Sequence, residues 1–198
     1  DVGPGFRVMD EREAALELDG VARRAILEPL ERDAEGGVAF VGNRGVEGAG
    51  EHGRGALEVV LEAVRDLRWH DDRYVRWTRD GRLDREALRR ASPVGWDARD
   101  DASLEELAVV LRLAHAALQR WTEFLERENL RDFDALVLDA RRLLLGPAGA
   151  AALDAVRRRY RLFVIDEFQD TDAAQRDIAF AVAGIPARGP AERRPYLP

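Results

Sequence analysis

The chain has 198 residues, with 38 acidic and 31 basic side chains and a formal net charge of −7. Apolar residues make up 46% of it without forming any long run, and it contains no cysteine. This composition excludes a disulfide scaffold, a cysteine-based zinc site and a membrane span, and it predicts a soluble cytoplasmic protein. It also excludes a globally basic surface for duplex DNA, so any contact with nucleic acid must be local.

The first half of the chain is predicted to be mostly helical. Apolar residues at helical spacing predict a helix over roughly residues 10–30, which Pro29 should end or kink. The glycine-rich stretch 33–55 has no periodicity and is predicted to be a mobile loop. A short helix is expected over about 56–68, and a mixture of short helix and turns over 79–99.

A long helix is predicted to begin at Ser103, because Ser103 and Glu106 have the spacing of a capping box. Apolar residues then recur every three or four positions, which indicates a face that packs against another helix. These residues are Leu104, Leu107, Leu111, Ala114, Leu118, Trp121 and Leu125.

Three further elements are predicted after this helix. Asp132 should cap a helix that ends at Gly146, and Pro147 should stand in the first turn of another helix that reaches about Tyr160. A final helix should begin at Asp172, which forms an acid-type capping box with Gln175. The tail, residues 186–198, is predicted to be flexible.

The segment between the last two helices carries the chemistry. Leu162–Ile165 are four consecutive apolar residues, which predicts a strand buried on both faces as in a parallel sheet. Asp166 and Glu167 follow at once. Ligands of such sheets bind beyond the carboxyl ends of the strands, where an acid can hold Mg²⁺ on a phosphate and a second acid can deprotonate a water.

The run Leu162–Thr171 resembles motif II, the Walker B segment, of superfamily 1 DNA helicases of the UvrD, Rep and AddA/RecB kind. That family has apolar residues followed by D-E-[FYAC]-Q-D-T, and the match is full. The resemblance implies that Asp166 binds Mg²⁺ through water, that Glu167 is the catalytic base, and that Gln169 senses the γ-phosphate of ATP.

Two other segments resemble the same family. Asp132–Leu136 resembles D-F-D-D-L, with Ala135 where an acid is usual. Gly5–Glu11 resembles the G-F-x-V-x-D-E segment of the nuclease-linked AddA/RecB subunits. The middle of the chain, roughly a hundred residues, shows no motif of the family.

The expected fold class is mainly α, with residues 1–130 forming a helical accessory domain and 131–185 forming part of a RecA-like motor domain. The resemblance implies an internal piece of an ATP-dependent DNA helicase or translocase of DNA repair or recombination. ATP, Mg²⁺, single-stranded DNA entering from duplex and the rest of the motor domain are the expected partners, and the isolated piece could self-associate. The alternative is a non-catalytic helical module for protein or nucleic-acid interaction that retains a remnant of a motor domain.

A second candidate site interleaves basic and aromatic residues between Arg65 and Arg79. Its rings could stack on bases while its guanidinium groups meet phosphates. In the alternative interpretation the tryptophans pack in the helical core and the arginines face water, which is favoured because interspersed acids cancel much of the charge. The candidate residues are Arg68, Trp69, Arg73, Arg76 and Trp77.

We expect these 198 residues alone to hydrolyse no ATP, with or without DNA. All 31 basic residues are arginine, so the chain has no lysine for a phosphate-binding loop G-x-x-x-x-G-K-[ST]. Phosphate release from the purified chain measures this. DNA-stimulated release that Glu167→Gln abolishes would contradict the expectation.

Overall fold

A computed structural model describes residues 5–31, 37–48, 54–75, 78–79, 82–86, 90 and 98–185. The α-helices within these ranges are α1 Glu11–Glu31, α2 Gly37–Arg44, α3 Ala56–Val75, α4 Ala98–Arg127, α5 Phe133–Leu145, α6 Gly149–Arg159 and α7 Ala173–Ala183. The short strands are β1 Arg7–Val8, β2 Thr78–Arg79, β3 Arg82–Leu83 and β4 Leu130–Arg131. β1 pairs with β4, and β2 pairs antiparallel with β3. The mainly α fold class is therefore confirmed. None of the described helices is both long enough and apolar enough to span a membrane.

The chain divides into two compact units, Asp1–Leu130 and Arg131–Pro198. In the first unit, α1, α3 and α4 pack against one another. Among the described residues, Trp121 of α4 is the largest fully buried side chain, and it is 1% exposed. The helices bury one face each because their apolar residues recur at three- and four-residue spacing. The core residues from these helices include Val21, Ala22, Ala25, Ile26, Val60, Val64, Leu67, Leu111, Ala114, Ala117, Trp121 and Leu125.

The mobile loop predicted over residues 33–55 is wrong in part, because it contains α2. This helix packs against α1, α3 and α4 and buries Phe40 and Val41. The Arg44 guanidinium Nε lies 2.8 Å from the Glu106 carboxylate, which ties α2 to α4. Burial of two large apolar side chains outweighs the low helix propensity of the surrounding glycines.

Three helix boundaries differ from those predicted. α3 reaches Val75 instead of about 68, and α6 begins at Gly149, two residues after Pro147. α4 begins at Ala98, so Ser103 lies inside the helix and not at its start. A capping box is a local preference of about 1 kcal/mol, which continued helical hydrogen bonding overrides.

The predicted apolar face of α4 is largely confirmed. Leu104, Leu111, Trp121 and Leu125 are buried, and Ala114 is completely buried. Leu118 is half-buried, and Leu107 is 39% exposed. Helical spacing fixes the face of the helix, whereas the extent of the neighbouring helices decides how far along that face burial continues.

The opening segment is attached to the first unit at several points. Met9 is 2% exposed, and the Asp10 carboxylate accepts a hydrogen bond of 2.8 Å from the Glu13 N–H at the start of α1. The Arg7 N–H donates to the Asn129 carbonyl at 3.1 Å. The segment is therefore an ordered part of the unit.

An ion pair links Arg7 to Glu13 through two hydrogen bonds of 2.7 and 2.6 Å. The hydrogen bond from Arg7 is the main cause that lowers the pKa of Glu13 below its ordinary value. A carboxyl whose pKa is lower in the folded state stabilises that state at neutral pH, and the contribution disappears as the pH falls through the lowered pKa. Because both side chains are exposed, the contribution is small.

The second unit consists of α5, α6 and α7, which pack against one another. The Asp132 carboxylate caps α5 by accepting from the Ala135 N–H at 2.7 Å, which confirms the predicted cap. Asp172 and Gln175 form the predicted capping box at the start of α7. Sequence-local signals therefore set two of the three helix starts.

Two arginines connect the helices of this unit. Arg141 of α5 donates to the Asp177 carboxylate of α7 at 3.0 Å, and the Asp177 side chain is only 10% exposed. Arg157 of α6 donates to the carbonyl of Val182 at 3.1 Å and to that of Ala181. These carbonyls lie in the last turn of α7, where a cation also interacts favourably with the helix dipole.

The predicted buried strand Leu162–Ile165 is wrong. The segment is irregular, with Leu162 79%, Phe163 47%, Val164 83% and Ile165 47% exposed. No strand in the described part of the chain pairs with it. A lone extended segment leaves its N–H and C=O groups without ladder partners, and the neighbouring helices do not cover its side chains. The predicted flexible tail, 186–198, lies outside the described residues.

We expect Gly149→Ala to destabilise the second unit by about 1–3 kcal/mol, the usual cost of overpacking. A Cβ at Gly149 would lie 2.3 Å from the Leu144 carbonyl oxygen, a backbone atom that cannot move aside. Thermal unfolding followed by circular dichroism measures the effect.

The matched control is Gly20→Ala in α1, where a Cβ meets only the far end of Arg24 at 3.7 Å. Alanine there should preserve or raise the stability. All four tryptophans lie within residues 1–130, so the fluorescence transition reports the first unit. A Gly149→Ala variant that unfolds like the parent would contradict the packing around Gly149.

Candidate functional site

The acids of the predicted site lie in the connection between α6 and α7. Asp166 and Glu167 are adjacent and exposed, and a 3₁₀ turn, Phe168–Asp170, follows them. α7 begins directly afterwards at its cap, Asp172. The acids are thus held between an irregular segment on one side and a capped helix on the other.

The Asp166 carboxylate turns back on the main chain. Its Oδ1 accepts a hydrogen bond of 2.9 Å from the N–H of Glu167. Within the described residues this uses one of its two oxygens, while the exposed side chain leaves the other facing solvent. An exposed carboxylate oxygen is a suitable partner for a hydrated cation.

Glu167 has a left-handed backbone conformation, with φ 48° and ψ 46°. This conformation costs a residue with a Cβ about 1–2 kcal/mol relative to the right-handed region. Asn129 is the other described non-glycine residue with a positive φ. The turn at Glu167 directs the chain from the irregular segment into the 3₁₀ turn, so the backbone strain is located at the predicted catalytic base.

Gln169 lies close to Glu167. Its Nε2 amide donates a hydrogen bond to the Glu167 carboxylate Oε2. The site therefore brings together Asp166, Glu167 and Gln169, the three residues predicted to carry the chemistry. The amide hydrogen bond fixes the orientation of the carboxylate.

Ring stacking fixes the far side of the 3₁₀ turn. The Phe168 ring stacks on Phe180 of α7, with 6.1 Å between ring centroids and 21° between planes. The Thr171 N–H donates to the Phe168 carbonyl at 3.2 Å and closes the turn. This half of the segment is packed on α7, in contrast to the exposed residues before Asp166.

Chemically, the two adjacent acids could hold one hydrated cation and one water. The described residues contain no group of three or more His, Cys, Asp or Glu side chains that could enclose a metal ion. Any cation here would keep most of its ligands from water or from a bound phosphate, as Mg²⁺ usually does.

The second candidate site is only partly described. Arg68 and Trp69 lie on α3 and are half-buried, and Arg73 lies on the same helix. Arg76 and Trp77 lie outside the described residues. Of the five candidate residues, the structure describes the side chains of Arg68 and Trp69.

One basic cluster was missed by the sequence reasoning. Arg158, Arg159 and Arg161 are exposed at the end of α6, on either side of the half-exposed Tyr160. The signal that could have revealed it is the run R-R-R-Y-R over 157–161, which is the densest basic stretch of the chain.

The comparison with protein families decides the affiliation. A family model of the UvrD/REP helicase N-terminal domain matches residues 85–187, just over half of the chain. The chain belongs to the UvrD/REP helicase family. Neither a characterised protein nor a solved structure matches it significantly.

The family match extends further than the motifs do. It begins at residue 85 and includes α4 as well as the second unit. This UvrD/REP-type chain therefore carries the family pattern in a long helix where no motif was recognisable. A helical face is specified by the spacing of apolar residues and not by particular residues, so a short motif does not reveal it.

We expect glycine to be more stabilising than alanine at position 167 of this UvrD/REP-type chain. Glycine adopts the left-handed conformation without the Cβ penalty, so Glu167→Gly should exceed Glu167→Ala in unfolding free energy by about 1 kcal/mol. Urea denaturation followed by circular dichroism measures the difference.

The control pair is Arg161→Gly and Arg161→Ala, at an exposed position without a positive φ. Here alanine should be the more stabilising, because glycine loses more backbone freedom on folding. The same order of the two residues at both positions would exclude the left-handed conformation of Glu167.

Proposed function

We propose that residues 162–171 are motif II of an ATP-dependent DNA helicase and that this chain supplies the hydrolysis half of its ATP site. The observation that carries the proposal is the complete D-E-F-Q-D-T sequence on two adjacent, exposed carboxylates. Membership of the UvrD/REP helicase family supports it, because the matched residues 85–187 include this segment.

Asp166 is proposed to hold Mg²⁺ through water. Its environment fits such a cation: the carboxylate is exposed and its Oδ1 is oriented by the Glu167 N–H at 2.9 Å. Mg²⁺ in nucleotide sites takes one or two carboxylates together with waters and phosphates, so a single acid is a sufficient protein contribution. When bound, the ion would neutralise charge that develops on the transferred phosphate.

Glu167 is proposed to accept the proton of the attacking water. A general base must reach that proton directly or through one water, and the exposed carboxylate has room for this. Gln169 already donates to this carboxylate. A neutral amide that contacts the base on one side could contact the γ-phosphate on the other, and it would thereby link the state of the nucleotide to the position of α7.

The subtype of helicase is proposed from the resemblance of the opening segment, Gly5–Glu11. Gly5–Glu11 supports a nuclease-linked AddA/RecB subtype, with a role in DNA repair or recombination. In this chain Asp10 of that segment caps α1, which is a structural use of the residue. DNA contacts are likewise proposed from the sequence pattern alone. The residues are Arg68, Trp69, Arg73, Arg76 and Trp77.

In a complete helicase that contains this chain, we expect Glu167→Gln to leave ATP binding largely intact and to remove most turnover. The substitution removes a general base, which contributes about 10²- to 10⁴-fold to the rate, and retains the Asp166 carboxylate. DNA-dependent phosphate release and nucleotide titration measure the two effects.

Glu126→Gln is the matched control, since Glu126 is an exposed acid on α4 outside the proposed site. Its turnover should equal that of the parent. Unchanged turnover in Glu167→Gln would reject the catalytic role and favour the non-catalytic interaction module.

A further inference from the structure

Phe168 stands between the two side chains that the proposed hydrolysis uses, Glu167 and Gln169. Its ring stacks on Phe180 of α7, with 6.1 Å between ring centroids and 21° between ring planes. The 3₁₀ turn Phe168–Asp170 has three residues per turn, so the directions of its successive side chains are fixed relative to one another. A Phe168 ring held on α7 therefore also determines where Gln169 points, and Gln169 donates a hydrogen bond to the Glu167 carboxylate.

α7 is a firm support for this stack because it is attached at three places. A capping box holds its start. In its middle, Arg141 of α5 donates to the Asp177 carboxylate at 3.0 Å. Near its end, Arg157 of α6 donates to the Val182 carbonyl at 3.1 Å. Phe180 lies between these last two attachments, so its ring is carried by a helix whose position both neighbouring helices set.

The conformation of Glu167 needs such a support. Its backbone is left-handed, with φ 48° and ψ 46°, a conformation that a residue with a Cβ keeps only where its surroundings hold it. The stack of Phe168 joins this strained turn to α7 one residue further along the chain. A stacked aromatic pair stabilises a structure by an amount of the same order as the cost of one left-handed residue, so this contact can hold the turn.

The alternative is that the two rings only cover apolar surface of the second unit. Phe180 is half-buried, whereas the fully buried residues of α7 within the described chain are Ala174 and Val182. An apolar side chain of similar volume would serve for cover, but only a ring can stack. Leucine and tyrosine at position 180 therefore separate the two roles.

We propose that Phe180 is a positioning residue for ATP hydrolysis, which acts through Phe168 on the general base Glu167. Its ring holds the turn and thereby directs the Glu167 carboxylate toward the attacking water. Phe180 acts through this stack and not by contact with the reacting atoms. The inference rests on the proposed function of residues 162–171, and it adds to that function a residue outside motif II.

The first test measures NMR relaxation of the backbone amides in the 198-residue chain. In the parent chain the order parameter of the Glu167 N–H should be that of a rigid backbone, about 0.85, and F180L should lower it below about 0.6. F180Y retains a ring that can stack, so its value should stay near that of the parent. F168L, which removes the other ring of the pair, takes the place of F180L if F180L does not fold.

The matched control is F124L. Phe124 is half-buried on α4 and stacks on Trp121, with 5.5 Å between centroids and 21° between planes. The same substitution thus removes a stack of the same interplanar angle outside the proposed site, and the order parameter of Glu167 should not change. Melting curves establish that each variant is folded.

The second test measures turnover in a complete helicase that contains this chain, with saturating DNA. F180L should lower kcat about 10- to 100-fold, as a small displacement of a catalytic group does, and should leave the KM for ATP unchanged. F180Y should restore most of kcat, and F124L should not alter it. In an E167Q background F180L should have little further effect, because two changes that act on one group are not additive.

Three results would overturn the proposal: a mobile Glu167 N–H in the parent chain, equal losses of kcat in F180L and F180Y, or full additivity of F180L with E167Q. Loss of turnover in E167Q together with normal turnover in F180L would reject this inference alone. Unchanged turnover in E167Q would reject the proposed function, and this inference with it.

Discussion

An extended backbone segment must hydrogen-bond its N–H and C=O groups to a neighbouring strand. The segment Leu162–Ile165 of the second unit has no such neighbour within the described residues. Leu162 and Val164 are more than three-quarters exposed although both are strongly apolar. Leaving such side chains in water forfeits about 1.5–3 kcal/mol each relative to burial. The three helices beside the segment also bury few side chains: among their described residues, only Gly149, Ala174 and Val182 are buried. Side-chain hydrogen bonds of Arg141 and Arg157 link these helices, and few of their side chains are fully buried.

The first unit, in contrast, has a buried apolar core. Its three long helices each bury one face around Trp121, and ion pairs such as that of Arg120 on α4 with Glu28 on α1 link their polar sides. Apolar burial on this scale supplies most of the stability of a small domain. Its stability therefore does not depend on the segment that carries the acids.

Elements that local chemistry determines were predictable from the sequence. Asp132 and Asp172 cap helices where expected, since a cap depends only on the next three residues. The failures came where distant residues decide. The strand at 162–165 needs partner strands, α2 forms because neighbouring helices cover Phe40, and the left-handed Glu167 follows from the path between two anchored ends. At the site, the identities of the acids were predictable, but their backbone strain and the amide contact from Gln169 were not.

The hydrogen bond from Arg7 to Asn129 has a consequence for how the protein is assembled. It joins two positions that are more than a hundred residues apart, so the two ends of the stretch between them lie side by side. A segment whose two flanks lie side by side can be carried by another fold as an insertion, because its removal leaves a gap that a short turn can bridge. The helices between these two residues could therefore be gained, lost or exchanged as one piece without moving the chain on either side.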